Sequence, residues 1–165
     1  MTGDGRQGTA ARANTGRRVA VVGGGIGGLA AALAFARTGA HVTVFEQAPE
    51  LREFGAGLQI TPNGGAVLKA LGLDAAAAAR SVRGAAVVPS DALTGREVAR
   101  FDLSRLGGVP YRFFHRGDLL EILAGVLGPH LVELVTGLED LLGVDIDVGR
   151  LTLETAQGLV NHDAS

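Results

Sequence analysis

From Val19 to Val22 the chain passes through four apolar residues with no polar alternation. A short, mostly β-branched run of that kind predicts a strand covered on both faces, as in a parallel sheet. Gly23-Gly24-Gly25-Ile26-Gly27-Gly28 follows directly, and the Ala- and Leu-rich stretch Leu29 to Thr38 then predicts a helix closed by Gly39. His41-Val42-Thr43-Val44-Phe45 predicts a second strand that ends at Glu46, completing a βαβ unit. Thr61 and Pro62 suit the N-cap and first position of another helix, which ends near Leu71 with Gly72 behind it. Asp74 caps a short helix over Ala75 to Ala79. Ala85–Val88 and Val98–Phe101 flank a turn region from Pro89 to Gly95, the pattern of an antiparallel hairpin. Alternation returns at Val144, Ile146 and Val148, and again at Leu151, Leu153 and Thr155, predicting a second hairpin. The closing stretch, Gly158 to Ser165, is assigned no element.

Composition narrows the function classes. The 165 residues fit one ordinary domain, and 47% of them are hydrophobic, enough for a packed core. Fifteen Lys and Arg against 17 Asp and Glu give a net charge of −2, without the basic face that nucleic acid or an anionic membrane requires. The absence of Cys excludes disulfides, thiol catalysis and Cys-ligated metals. His41, His115, His130 and His162 show no metal-ligand spacing. No apolar run is long enough for a membrane span, and Met1 to Gly16 lacks the apolar core of a secretory signal. These features predict a soluble, cytoplasmic protein with residues 1–17 as a flexible tail and residues 18–165 as the folded domain.

The glycine run fits G-x-G-x-x-G at Gly23, Gly25 and Gly28. If a dinucleotide binds here, Gly23 allows the tight turn out of the strand and Gly25 removes a Cβ from the path of the pyrophosphate. Gly28 lets the helix lie close to the sheet, and the helix N-terminus offers unpaired N–H groups and partial positive charge to the phosphates. Glu46, 18 residues beyond Gly28, stands near the spacing at which an acid meets the ribose hydroxyls. A carboxylate there disfavours a ribose 2′-phosphate. The turn alone does not separate NAD from FAD, since both carry an ADP half. Tyr111, Phe113 and Phe114 are either core aromatics or the lining of a pocket floored by the first hairpin.

The stretch VAVVGGGIGGLAAALAFARTGAHVTVFEQAPELREFGAGLQITPNGGAVLKALGL, together with FFHRGDLLEIL further on, resembles the single-component FAD-dependent aromatic hydroxylases, the group that contains salicylate hydroxylase and 6-hydroxynicotinate monooxygenase. The similarity runs from Arg18 to about Gly137. It implies an α/β fold in which a Rossmann-like, FAD-binding βαβ core with a parallel sheet is joined to a small antiparallel β element. It implies that Gly23, Gly25, Gly27 and Gly28 belong to the ADP-binding loop, and that Glu46, with Gln47 beside it, meets the ribose. Gln59 falls where the family's chain passes the flavin, Arg116 matches an arginine that reaches the cofactor from a helix start, and Leu138 matches an apolar position near the adenine. The implied reaction hydroxylates a small aromatic ring with FAD, NAD(P)H and O₂. The family's later Asp-Gly and Gly-Asp motifs have no counterpart in this sequence, so the resemblance implies an incomplete domain, and no catalytic residue is assigned. Expected partners are a small aromatic substrate and either a complementing chain or a second copy. The alternatives are a non-catalytic dinucleotide-binding module and an NAD-binding domain without flavin.

Overall fold

In the computed structural model, residues 14–51, 55, 57–128, 132–137, 143–147, 150–155 and 158–163 are described. They divide into two compact units. One combines residues 1–53 with 123–165, and the other is the continuous stretch 54–122.

The first unit begins with strand β1, Arg18–Val22, followed by helix α1, Ile26–Arg37, and strand β2, His41–Phe45. β1 and β2 pair in parallel, Arg18 opposite His41 through to Val22 opposite Phe45. Strand β8, Val132–Val135, extends the sheet in parallel on the far side of β2, with Val42 opposite Val132. The order is therefore β1-β2-β8. α1 buries Leu29, Ala32, Leu33 and Ala36, a face at three- and four-residue spacing, while β2 contributes Val42, Val44 and Phe45 to the same core. α1 starts three residues earlier than its composition predicts, immediately after Gly25. Two poor helix formers, Gly27 and Gly28, thus occupy its first turn, where propensity yields to packing. Gly39, at φ +91°, ends the helix as expected.

Strands β9, Gly143–Asp147, and β10, Arg150–Thr155, form the predicted antiparallel hairpin, Leu151 opposite Ile146 and Leu153 opposite Val144. Val148 lies outside the described residues. A third strand, β11, Gly158–Asp163, pairs with β10, where the sequence suggested no element. Its His162 is buried and meets the Phe45 ring edge-on, with centroids 5.8 Å apart.

The second unit holds a three-stranded antiparallel sheet. Strand β3, Gly57–Ile60, and strand β4, Ser81–Arg83, flank strand β7, Arg112–His115. Helix α2, Pro62–Ala70, has Thr61 as N-cap and Pro62 at its first position, as expected, and Gly72 behind it at φ +72°. Helix α3, Asp74–Ala79, is capped by Leu73, so Asp74 is its first helical residue and not its cap. The hairpin is present but shorter than expected: strand β5, Ala86–Val87, pairs with strand β6, Phe101–Asp102, and Ser90 bridges Glu97 beyond them. A 3₁₀ turn, Leu103–Leu106, leads on from β6, and helix α4, Arg116–Ala124, follows β7 directly. Within this unit the core holds Leu68, Leu73, Ala77, Phe114, Leu119, Leu120 and Ile122. Arg80, after α3, ties to α4 by an ion pair with Glu121 at 2.5 Å, and its guanidinium is held further toward the charged form by that bond. No helix among the described residues is long and apolar enough to cross a membrane.

Candidate functional site

The glycine loop and its acid come together in the first unit. The turn out of β1 requires Gly23, which sits at φ +100°, a left-handed conformation that side chains strain to adopt. Its N–H donates to the Phe45 carbonyl at 2.7 Å and holds the turn to the end of β2. Gly25 is the N-cap of α1 in an extended conformation, and its carbonyl accepts the first helical bond from Leu29 N–H at 2.9 Å. The amides of Ile26, Gly27 and Gly28 therefore have no partner within the helix.

A Cβ on Gly28 would lie 1.9 Å from the Gly23 carbonyl oxygen and 3.4 Å from Cγ1 of Val21. Only a glycine lets the first turn of α1 come so near the loop. At Gly23 and Gly27 the same test meets no atom within 4 Å, so the loop stays open on that side.

Glu46 is aimed at this loop. One carboxylate oxygen accepts from Gly24 N–H at 2.6 Å, and the other accepts from Ala48 N–H at 2.8 Å. The main chain of Glu46 is fixed as well, its N–H donating to the Val135 carbonyl of β8 at 2.8 Å. The carboxylate is thus held in one place by two charge-assisted bonds. Gly24, not singled out from the sequence, is buried beneath it. A Cβ there would stand 2.7 Å from Cδ2 of Leu51 and 3.1 Å from Glu46 Cβ. The only hint in the sequence is that Gly24 is the middle of three consecutive glycines; the contact itself spans 22 residues. Gln47 follows Glu46 and is exposed.

Two other sequence-predicted residues belong to the second unit. Gln59 lies in β3 and is exposed opposite Phe113 of β7. Arg116 is exposed and is the first residue of α4, the helix start at which its motif was expected. Leu138 lies outside the described residues. Of the aromatics, Phe114 is buried in the core, whereas Phe113 is 41% exposed on the opposite face of β7. Among the described residues no three or more His, Cys, Asp or Glu side chains are grouped to hold a metal ion.

The donor set of the loop is chemically matched to an ADP moiety. Unpaired amides at a helix start suit phosphate oxygens, a fixed carboxylate suits paired hydroxyls, and glycines at the tight positions remove bulk between them. Residues 21–57 match the NAD(P)-binding Rossmann-like domain family. Over 145 residues the chain is 41% identical to the 3-hydroxybenzoate 6-hydroxylase of Polaromonas naphthalenivorans (strain CJ2), covering 85% of this chain and 36% of that protein. It is 41% identical to the 3-amino-4-hydroxybenzoate 2-monooxygenase of Streptomyces cremeus, covering 71% of this chain and 31% of that one. Among solved structures, the tetrameric form of 2-methyl-3-hydroxypyridine-5-carboxylic acid oxygenase superposes with a TM-score of 0.74 at 32% identity, over 90% of this chain and 37% of the other. The chain spans about a third of the length of the curated relatives it matches.

Proposed function

Because the chain is related to the N-terminal portion of the FAD-dependent aromatic-ring monooxygenases, we propose that residues 18–165 form the FAD-binding portion of an enzyme that hydroxylates a small aromatic substrate with NAD(P)H and O₂. The observation that carries this reading is the Glu46 carboxylate held against the glycine loop by Gly24 N–H at 2.6 Å, beside a helix start whose first amides have no partner within the helix. In this reading Gly23, Gly25, Gly27 and Gly28 shape the cradle. The amides from Ile26 to Gly28 take the pyrophosphate, and Glu46 takes the ribose hydroxyls, with Gln47 beside it. Gln59, Arg116 and Leu138 contribute at the flavin, the phosphates and the adenine respectively. When bound, FAD would supply the redox chemistry that links NAD(P)H and O₂ to hydroxylation of the ring. The chain's own residues bind and orient the cofactor; none is assigned to proton transfer.

The test is direct. Purified protein, soaked with FAD and freed of excess by gel filtration, retains a yellow flavin spectrum, and titration quenches flavin fluorescence saturably. A colourless protein with no quenching overturns the proposal. A second reading follows from the loop itself, whose glycines and Glu46 suit the ADP half alone: a module that binds that half and turns nothing over. It predicts comparable affinity for ADP and FAD and no FAD-dependent NADH oxidation. Tighter binding of NAD than of FAD would favour a plain NAD domain instead.

A further inference from the structure

Where β8 ends, its pairing with β2 departs from the regular ladder. Phe45 registers with Val135, and Glu46 N–H donates to the Val135 carbonyl at 2.8 Å. A straight parallel ladder would continue with Gly137 N–H on the Glu46 carbonyl and Ala48 N–H on the Gly137 carbonyl. Instead, Gly137 N–H donates to the Ala48 carbonyl at 2.9 Å, and Ala48 N–H donates to Oε1 of Glu46 at 2.8 Å. The chain turns at Gly137 itself, at φ +78°, a left-handed conformation that is roughly tenfold less favourable once a Cβ is present. A Cβ at this position meets no atom within 4 Å, so conformation, and not packing, calls for glycine here. All of these residues belong to the first unit.

We propose that Gly137 is a positioning residue for ribose recognition, one that makes the site select nucleotides with a 2′-hydroxyl over their deoxy counterparts. By leaving the ladder at Gly137, the chain releases the Ala48 amide to become the second anchor of the Glu46 carboxylate, beside the Gly24 amide at 2.6 Å. With both oxygens held, the carboxylate has one orientation in which to meet a ribose hydroxyl. With the Ala48 anchor loosened, it pivots about the Gly24 bond. The magnitudes are matched: a single hydrogen bond contributes up to about tenfold to an equilibrium, the size of the penalty that a Cβ brings to the turn. Gly137→Ala therefore no longer keeps the turn and its bond together. The inference rests on the assignment of Glu46 to the ribose and adds to it a residue that acts through Ala48.

The experiment titrates the whole chain with ADP and with 2′-deoxy-ADP by calorimetry. The parent binds ADP about tenfold more tightly, the worth of a hydrogen bond to a charged group. In Gly137→Ala that preference falls to about threefold or less, while 2′-deoxy-ADP, held by the amides at the start of α1, binds within about twofold of its parent affinity. Gly137→Asn restores the preference, because Asn visits the left-handed region readily; a general loss of packing would not be rescued in this way. An undiminished preference in Gly137→Ala overturns the proposal, as do equal losses for the two nucleotides. So does a Gly137→Asn chain that is folded by circular dichroism and has lost the preference. A parent that binds ADP with no preference overturns the assignment of Glu46 to the ribose, and this proposal with it. If FAD fails to bind while ADP does, the flavin reading falls, and the nucleotide series still supports or overturns the role of Gly137.

Discussion

Replacing Gly28 by Ala tests the packing of the cradle most sharply, because its neighbour Gly27 supplies the control. The added Cβ would lie 1.9 Å from the Gly23 oxygen and 3.0 Å from the Gly23 carbonyl carbon, where non-bonded carbon and oxygen ordinarily keep about 3.3 Å apart. The obstacle is backbone. Gly23 is itself held at φ +100° and bonded to Phe45, so relief requires α1 to shift away from the loop. Overpacking of this sort costs about 3 kcal/mol at the upper end of its usual range. The better helix propensity of Ala returns about 1 kcal/mol, for a net loss of about 2 kcal/mol. At Gly27 a Cβ meets nothing within 4 Å, so Gly27→Ala gains up to about 1 kcal/mol. The two variants should then melt roughly 6–12 °C apart in a domain of this size, Gly28→Ala below the parent and Gly27→Ala at or above it. Thermal melts by circular dichroism read this, and FAD titration should show the weaker affinity in Gly28→Ala. A Gly28→Ala chain that melts at or above the parent temperature refutes the packing argument.

Other outcomes follow from the same contacts. Glu46→Gln keeps the shape but has one acceptor oxygen in place of two, setting its NH₂ against the Gly24 or Ala48 N–H, and should weaken FAD binding about tenfold by calorimetry, equivalent to about 1.4 kcal/mol. Phe45→Ala empties the site against His162 and should destabilise the first unit by about 3–5 kcal/mol in urea unfolding; an effect under 1 kcal/mol would show that the ring is not packed there. The Asp91 carboxyl is held below its ordinary value, first by the Thr94 hydroxyl and then by the Thr94 amide. Since the folded value is the lower one, this turn is stabilised above the ordinary aspartate range and loses that contribution as pH falls through the folded value. The Thr94 amide shift should therefore titrate with a midpoint below that of aspartate in an unstructured peptide.

Local chemistry made part of this molecule readable before its coordinates. β1, α1, β2 and Glu46 follow one another in sequence, and each is marked by its own residues: β-branched runs, glycines, an Ala-rich helix, an acid at the strand end. The start of α1 was not readable, because Gly27 and Gly28 are poor helix formers, and the close approach to Gly23 that requires glycine at position 28 is a packing fact. Gly24 escaped notice for a related reason, since its burial depends on Leu51 and Glu46, far along the chain. β11 carries Asn161 and His162 in place of a clean alternation, and its pairing with β10 and the Phe45–His162 contact are tertiary facts. The division into units is of the same kind: residues 1–53 join 123–165 because β8 pairs with β2, a partnership between segments about 90 residues apart that no local pattern encodes. Arg116 was readable at a helix start, whereas the strand that holds Gln59 was not.

The central claim, that the start of α1 and Glu46 together hold the ADP half of FAD, is tested most directly by amide chemical-shift mapping during titration with FAD and, separately, ADP. Both ligands should move the amides of Gly25, Ile26, Gly27 and Gly28 first and most, with Gly24 and Ala48 following through the Glu46 carboxylate. Shifts confined to other segments, or none at these six residues at saturating ligand, would contradict it.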